Sequence, residues 1–177
     1  MAEPLIALPD ELLTGRKVYL GAGKKHRLEG WEHLDRHPFA GLDVVCDVTR
    51  GLPFQDRSLA AIYSQDFLEH LPDTAKIPLM NEIWRVLRPG GTMEHYVPNA
   101  GSRNDFGSPS HLSHFSLQQF EHFDVDSYRY LADREYEGFV GGFTKVLAEL
   151  VNWQVEDDGV RRAQSLHVIY RAVPATC

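Results

Sequence analysis

Two glycines and two acidic residues near the start of the chain have the types and spacing of a ligand-binding site. Gly21 and Gly23 flank one alanine directly after the strand-forming residues 17–20. Asp35 and Asp47 each end a later short run that we interpret as a strand. Backbone N–H groups of a glycine loop can hold a carboxylate, while the acids can accept from ribose hydroxyls and a purine amine. The pattern favours a ligand with a carboxylate and a ribose, although each acid alone is also typical of a strand-end cap.

The glycine loop lacks the two common phosphate-binding patterns. A dinucleotide fingerprint requires a third glycine where His26 stands, and a P-loop requires a Gly-Lys-Ser/Thr sequence that is missing. Asp35 follows Gly23 after about a dozen residues, whereas dinucleotide enzymes place their ribose-binding acid about 20 residues on. So short a crossover leaves little room for a helix that cradles a pyrophosphate, so a ligand without phosphates is favoured.

Two histidines in the segment SPSHLSHFS, His111 and His114, are the candidates for a general base. A base is needed only when an acceptor must lose a proton, and imidazole can take that proton near neutral pH. His95 lies within a predicted strand and points either to the core or to the site. The pair also fits capping or packing of its loop, and His-x-x-His in a loop is too loose a pattern to indicate a metal. We therefore predict no metal ligands.

Short apolar strands and one clear helix alternate in the middle of the chain. Apolar runs over 42–48 and 58–67 predict two buried strands. An apolar stripe at helical spacing predicts a helix that begins near residue 76 and ends at the Arg-Pro-Gly-Gly sequence of residues 88–91, before a strand over 92–98. Fully apolar strands in this alternation predict an α/β domain with a mostly parallel sheet and helices on both faces.

The C-terminal third is less regular. Ser116 is a suitable cap for a short helix over 116–123, and residues 124–142 are aromatic without a regular pattern. The segment 143–153 has apolar residues at helical spacing but flanks typical of strands. An Asp-Gly turn followed by clean alternation over 165–173 predicts an antiparallel β-hairpin at the end of the chain.

Length and composition indicate one globular domain. The chain has 177 residues, 43% hydrophobic and 24% charged, with a formal net charge of −7. The acidic balance argues against a nucleic-acid partner, which usually requires a basic face. Two cysteines form no disulfide framework, and we find no secretory leader and no apolar run of about 18 residues. We therefore expect a cytoplasmic protein without a membrane span.

Four segments between residues 17 and 123 carry motifs in a specific order: VYLGAG, CDVTRGLPFQDRSLAAIYSQDFLEHLP, EIWRVLRPGGTMEHYVPN and SPSHLSHFS. Together they resemble class I S-adenosylmethionine-dependent methyltransferases, in particular a small subgroup with a short glycine loop. The succession LPF-x-D-x-S, LEHLP and VLRPGG is more specific than any motif alone. The chain departs from the family at Tyr19, where an acid usually stands, and in the missing third glycine. The resemblance implies a Rossmann-like sheet.

The resemblance also implies a set of cofactor-binding residues. They are Gly21, Ala22, Gly23, Asp35, Asp47, Val48, Gln65, Asp66 and His70. By the resemblance, the glycine loop approaches the methionine part of S-adenosylmethionine. Asp35 takes the ribose, and Asp47 takes the adenine amine beside Val48. Gln65 and Asp66 line the cofactor near its sulfonium.

These features predict methyl transfer from S-adenosylmethionine to a small-molecule acceptor by in-line displacement, with His111 and His114 as catalytic candidates. The acceptor stays open among sugars, lipid precursors and other metabolites. Residues 16–100 would form the cofactor-binding core, 101–142 an acceptor-side cover and 143–173 the hairpin. Two alternatives also stay open. One is a non-catalytic domain that binds S-adenosylmethionine or a nucleoside, and the other is the same fold with aminopropyl transfer or metal-dependent hydrolysis.

Overall fold

One seven-stranded sheet organises the part of the chain that the computed structural model describes, residues 14–24 and 27–174. Its strands are β1 (Lys17–Leu20), β2 (Glu32–Asp35), β3 (Val44–Val45), β4 (Leu59–Gln65), β5 (Leu87–Pro98), β6 (Phe143–Val155) and β7 (Arg161–Ala172). Their order across the sheet is β3-β2-β1-β4-β5-β7-β6. Strands β1 to β5 are parallel, and β7 runs antiparallel to both β5 and β6. The predicted mostly parallel α/β sheet with a C-terminal antiparallel hairpin is confirmed.

The described residues contain α-helices between β4 and β5 and between β5 and β6. They are α1 (Lys76–Val86), α2 (Arg103–Phe106), α3 (Leu117–Phe120) and α4 (Tyr128–Glu137). Helix α1 begins where its apolar stripe predicts. Ser116 caps α3 as expected, and its side chain and that of Gln119 form a reciprocal capping box. No helix in the described ranges is long and apolar enough to cross a membrane.

The end of α1 differs from the prediction. The helix ends at Val86, and Leu87 already pairs with Leu59 of β4, so the Pro-Gly-Gly residues belong to β5 rather than to a turn. The pairing of β4 with β5 shifts register between Leu59 and Ala61, and Gly90 takes a φ of 81° there. Tertiary pairing therefore starts the strand at Leu87 instead of at residue 92.

Packing partners determine the secondary structure of two segments in the C-terminal third. Residues 143–153, with their mixed pattern, form β6 because they pair with β7 along their length, with one irregularity between Lys145 and Leu147. Helix α4 lies in the stretch where the sequence showed no regular pattern. Tyr130 of α4 is buried against Phe139, and its hydroxyl donates to the carbonyl of Gly141 at 2.9 Å. These long-range contacts are invisible in local sequence patterns.

Alternate residues of the central strands enter two different hydrophobic clusters. Val18 and Leu20 of β1 belong to the larger cluster, together with Ile83 of α1. Tyr19 lies between them in sequence and belongs to the smaller cluster, where Trp31 from a loop also packs. No helical residue belongs to this smaller cluster within the described part of the chain.

An ion-pair network fixes α1 to the loop between β3 and β4. Glu82 accepts from the N–H of Leu52 at 2.8 Å and pairs with Arg85 at 2.7 Å. Arg85 in turn donates to the carbonyl of Phe54 at 2.9 Å and pairs with Asp56 at 2.6 Å. These bonds hold the LPF-x-D segment in place, and with it the end of β3 that contributes to the site.

Candidate functional site

A cleft of about 590 Å³ opens at the carboxyl ends of β1 to β4. Parallel strands end at one edge of the sheet, and open α/β sheets bind ligands there. The volume is in the range of sites for small organic ligands. Six of the nine predicted cofactor-binding residues line this cleft: Gly21, Asp35, Asp47, Val48, Asp66 and His70.

The glycine loop is shaped by its backbone conformation and by one aromatic ring. Gly21 and Gly23 have φ values of 64° and 58°, in the region that L side chains rarely adopt. A Cβ atom at Gly21 would lie 2.0 Å from Cδ2 of Phe67, so the ring occupies the space that a side chain would need. Phe67 also lines the cleft. Glycine is therefore required at position 21, and Phe67 forms one wall beside it.

The Asp35 carboxylate ties the glycine loop to the end of β2. Its Oδ2 accepts from the N–H of Gly23 at 3.1 Å, and its Oδ1 accepts from the N–H of His37 at 2.9 Å. Each carboxylate oxygen can accept more than one hydrogen bond. Asp35 can therefore cap the loop and still accept from ligand hydroxyls in the cleft.

Asp47 and Val48 follow the end of β3. Oδ1 of Asp47 accepts from the N–H and the hydroxyl of Thr49, at 3.1 and 2.7 Å. The bond from the Thr49 hydroxyl and then the bond from its N–H hold the pKa of the Asp47 carboxyl below its ordinary value. Both donors bind the same oxygen, which leaves Oδ2 for an amine donor. Val48 is buried and lines the cleft next to this carboxylate.

Of the remaining predicted residues in the loop and at the end of β4, some line the cleft and others contact the smaller cluster. Gln65 accepts from the hydroxyl of Tyr63 at 2.9 Å, and Tyr63 belongs to the smaller cluster, so Gln65 does not line the cleft. Ala22 is buried in the same cluster. Asp66 does line the cleft, with a φ of 48° that is unusual for a residue other than glycine. Such strain is concentrated at functional sites.

Two separate segments bring His70 and His111 together at the edge of the cleft. Their ring centroids are 5.0 Å apart with an interplanar angle of 71°. Nδ1 of His70 donates to the carbonyl of Ser110 at 3.1 Å, and Nδ1 of His111 donates to the carbonyl of Asp105 at 2.9 Å. A carbonyl oxygen can only accept, so each Nδ1 carries a proton, and the neutral form of each ring has its lone pair on Nε2.

His114 and His95 have different surroundings. Nδ1 of His114 lies 2.8 Å from Oδ1 of the buried Asp105, whose Oδ2 accepts from the N–H of Gly101 at 2.9 Å. His114 therefore holds its loop together and does not line the cleft. Its catalytic role stays a prediction. His95 is fully buried and pairs through Nδ1 with the hydroxyl of Ser64 at 2.7 Å, so it points to the core.

The sequence analysis missed one acidic side chain beside the cleft. Glu69 is only 1% exposed, and neither of its carboxylate oxygens has a hydrogen-bond partner in the described part of the structure. Burial raises its pKa to about 8. An acid within LEHLP is normally expected at the surface, and the only signal was its position next to His70.

Comparison with known proteins shows a sequence similarity in the core of the chain. Residues 22–94 match the family model described as a methyltransferase domain. A glycine/sarcosine/dimethylglycine N-methyltransferase of Actinopolyspora halophila is 28% identical over 145 residues, which are 65% of this chain and 24% of that protein. The chain therefore spans about a quarter of the length of that relative.

Solved structures share the fold across most of the chain. An S-adenosylmethionine-dependent methyltransferase from Archaeoglobus fulgidus has a TM-score of 0.68 at 16% identity, covering 90% of this chain and 87% of that one. One from Methanosarcina mazei has a TM-score of 0.61 at 17% identity, covering 97% and 98%. Residues 22–94 are therefore similar in sequence to methyltransferase domains, and the chain shares the fold of these S-adenosylmethionine-dependent methyltransferases.

Proposed function

We propose that the protein binds S-adenosylmethionine in the cleft and transfers its methyl group to a small-molecule acceptor. The observation that carries this proposal is the convergence of the glycine loop and three strand-end acids, Asp35, Asp47 and Asp66, on one cleft. When bound, S-adenosylmethionine supplies a methyl carbon that is already activated by its sulfonium. The protein then has to bind the cofactor, align the acceptor with the methyl carbon and exclude water.

The donors and acceptors in the cleft fit the parts of this cofactor. Asp35 retains acceptor capacity for ribose hydroxyls after its two bonds to backbone N–H groups. Oδ2 of Asp47 can accept from the adenine amine, and Val48 offers an apolar contact to the ring. The absent side chain at Gly21 allows close approach of the backbone, although Phe67 already occupies one side. We assign Phe67 the role of a wall against the methionine part.

The acceptor side is the segment that follows β5. Ser110 and Leu112 of this segment line the same cleft as the strand-end acids. His111 lies between them, and its Nε2 lone pair suits it to receive a proton from an acceptor hydroxyl or ammonium. We therefore assign residues 101–142 to the acceptor-side cover and His111 to acceptor activation.

The acceptor class is a small metabolite with an amine or hydroxyl. The relative from Actinopolyspora halophila methylates glycine, sarcosine and dimethylglycine according to its name, so amino-acid amines are the first acceptors to test. The net charge of −7 supports a small-molecule acceptor over a nucleic acid, and the composition supports a cytoplasmic location.

The test is an acceptor screen with the purified chain and S-adenosylmethionine. We expect S-adenosylhomocysteine to accumulate only with an acceptor, and the product mass to increase by one methylene. A transferred aminopropyl group would show the same fold with different chemistry. Tight binding of S-adenosylmethionine without product from any amine, hydroxyl or sugar in the panel would favour a non-catalytic binding domain.

A further inference from the structure

Three side chains at the edge of the cleft form a set of metal ligands. One ligand atom from each of Glu69, His70 and His111 lies within 4.8 Å of the other two. The Glu69 carboxylate is buried, and neither oxygen has a hydrogen-bond partner among the described residues. A buried carboxylate without partners is costly, and a bound cation would remove that cost.

The hydrogen bonds of the two histidines fix the tautomer that binds a metal through Nε2. Each donates its Nδ1–H to a backbone carbonyl, His70 to Ser110 and His111 to Asp105. Metal-bound histidines typically make this second hydrogen bond, because it fixes the tautomer and the orientation of the ring. Both Nε2 lone pairs are thereby available for a metal.

The backbone that carries the three ligands is held rigidly. The carbonyl of Glu69 accepts from the N–H groups of Leu112 and Ser113 at 2.7 and 3.1 Å. The hydroxyl of Ser113 donates to the carbonyl of Leu68 at 3.3 Å. Ligands bound to a tetrahedral Zn²⁺ at their usual distances lie about 3.4 Å apart. Binding would therefore draw the three ligand atoms closer together than the 4.8 Å within which they lie.

We propose that Glu69, His70 and His111 bind a divalent transition-metal ion of the Zn²⁺ type beside the cofactor cleft. Two imidazoles and one carboxylate suit such ions better than Mg²⁺ or Ca²⁺, which prefer oxygen ligands. Three protein ligands leave a coordination position open, as in catalytic metal sites. His70 also lines the cleft, so this position is next to the acceptor side.

A bound metal would restrict the acceptors to molecules that can coordinate it. This restriction rests on the proposed methyl transfer. An acceptor with an oxygen or amine donor would bind the open position, and the metal would lower the pKa of the group that loses a proton. His111 would then be a metal ligand instead of the base, and the proton released by the acceptor would pass to solvent water. Metal binding itself does not depend on methyl transfer.

The experiment is calorimetric titration of the metal-stripped full chain with Zn²⁺, supported by the visible absorption of Co²⁺. We expect one equivalent to bind. Glu69→Gln and His111→Ala should each weaken binding by at least about tenfold. The control is His37→Ala, which removes an exposed histidine outside the ligand set and should change affinity by less than about twofold. Glu69→Gln removes an unpartnered buried carboxylate and is expected to fold, which circular dichroism checks.

No Zn²⁺ binding by the wild-type chain, or binding that Glu69→Gln and His111→Ala leave unchanged, would overturn the metal site. Glu69 would then be a neutral buried acid. S-adenosylmethionine binding is measured separately on the metal-stripped chain, where we expect affinity to be retained. Zn²⁺ binding without any S-adenosylmethionine binding would support the metal site and refute the proposed function. Methyl transfer by a chain that binds no Zn²⁺ would support the proposed function and refute the metal site.

Discussion

Replacing Asp35 with alanine should weaken cofactor binding through two routes. The substitution removes the carboxylate that accepts from Gly23 and His37, and with it the proposed bonds to the ribose. Hydrogen bonds to charged groups contribute about 1.5–3 kcal/mol each, but water can reach this half-buried site. We therefore expect a loss of about 1–3 kcal/mol in binding free energy, or about 5- to 150-fold in Kd.

The assay is calorimetric titration with S-adenosylhomocysteine, with two further variants for comparison. Asp35→Asn keeps one acceptor oxygen and should give a smaller loss. Asp43→Ala is the matched control, because Asp43 also accepts from a backbone N–H, that of His33 at 2.8 Å, but does not line the cleft. It should leave Kd unchanged. Equal affinity in the wild type and in a folded Asp35→Ala variant would refute the ribose assignment.

Three further predictions concern the residues that shape the fold and the cleft. Gly21→Ala forces a left-handed conformation that costs about 1–2 kcal/mol and a clash with Phe67, so chemical denaturation should show a clear loss of stability. The double variant with Phe67→Ala should recover part of it, and no recovery would contradict the packing. Burial lowers the pKa of His95 to about 3 from its ordinary value near 6.5, so the unfolded state binds more protons between these values. Stability should fall as pH drops below 6.5, by up to about 1.4 kcal/mol per pH unit, and His95→Gln should remove this part of the acid sensitivity in urea titrations. Ser116→Ala removes the cap of α3 and should cost about 1 kcal/mol, whereas Ser110→Ala, outside any helix, serves as its comparison in thermal melts.

The sequence predicts for a physical reason that the strand-end residues lie close together. Apolar runs mark buried strands, and the carboxyl ends of parallel strands meet at one edge of the sheet. The residues that follow those runs, such as Gly21, Asp35 and Asp47, are therefore brought together by topology alone. Gln65 is an exception, because residues two apart on a strand share a face and Gln65 therefore lies beside Tyr63, whose hydroxyl it accepts from.

Other parts of the structure depend on contacts between distant segments, which local patterns do not show. The start of β5 at Leu87 follows from pairing with β4, and β6 is a strand despite its helical spacing because it pairs with β7. The approach of His111 to His70 depends on a loop held by hydrogen bonds to Glu69 and Asp105. The burial of Glu69 itself has no counterpart in its neighbouring sequence.

The most direct test of the central claim is equilibrium titration of the purified wild-type chain with S-adenosylmethionine. We predict binding of one equivalent with micromolar affinity, and competition by S-adenosylhomocysteine for the same site. Absence of binding by both compounds to a chain that circular dichroism shows to be folded would contradict the account. It would mean that the short glycine loop and Tyr19 have removed cofactor binding from a fold that otherwise retains it.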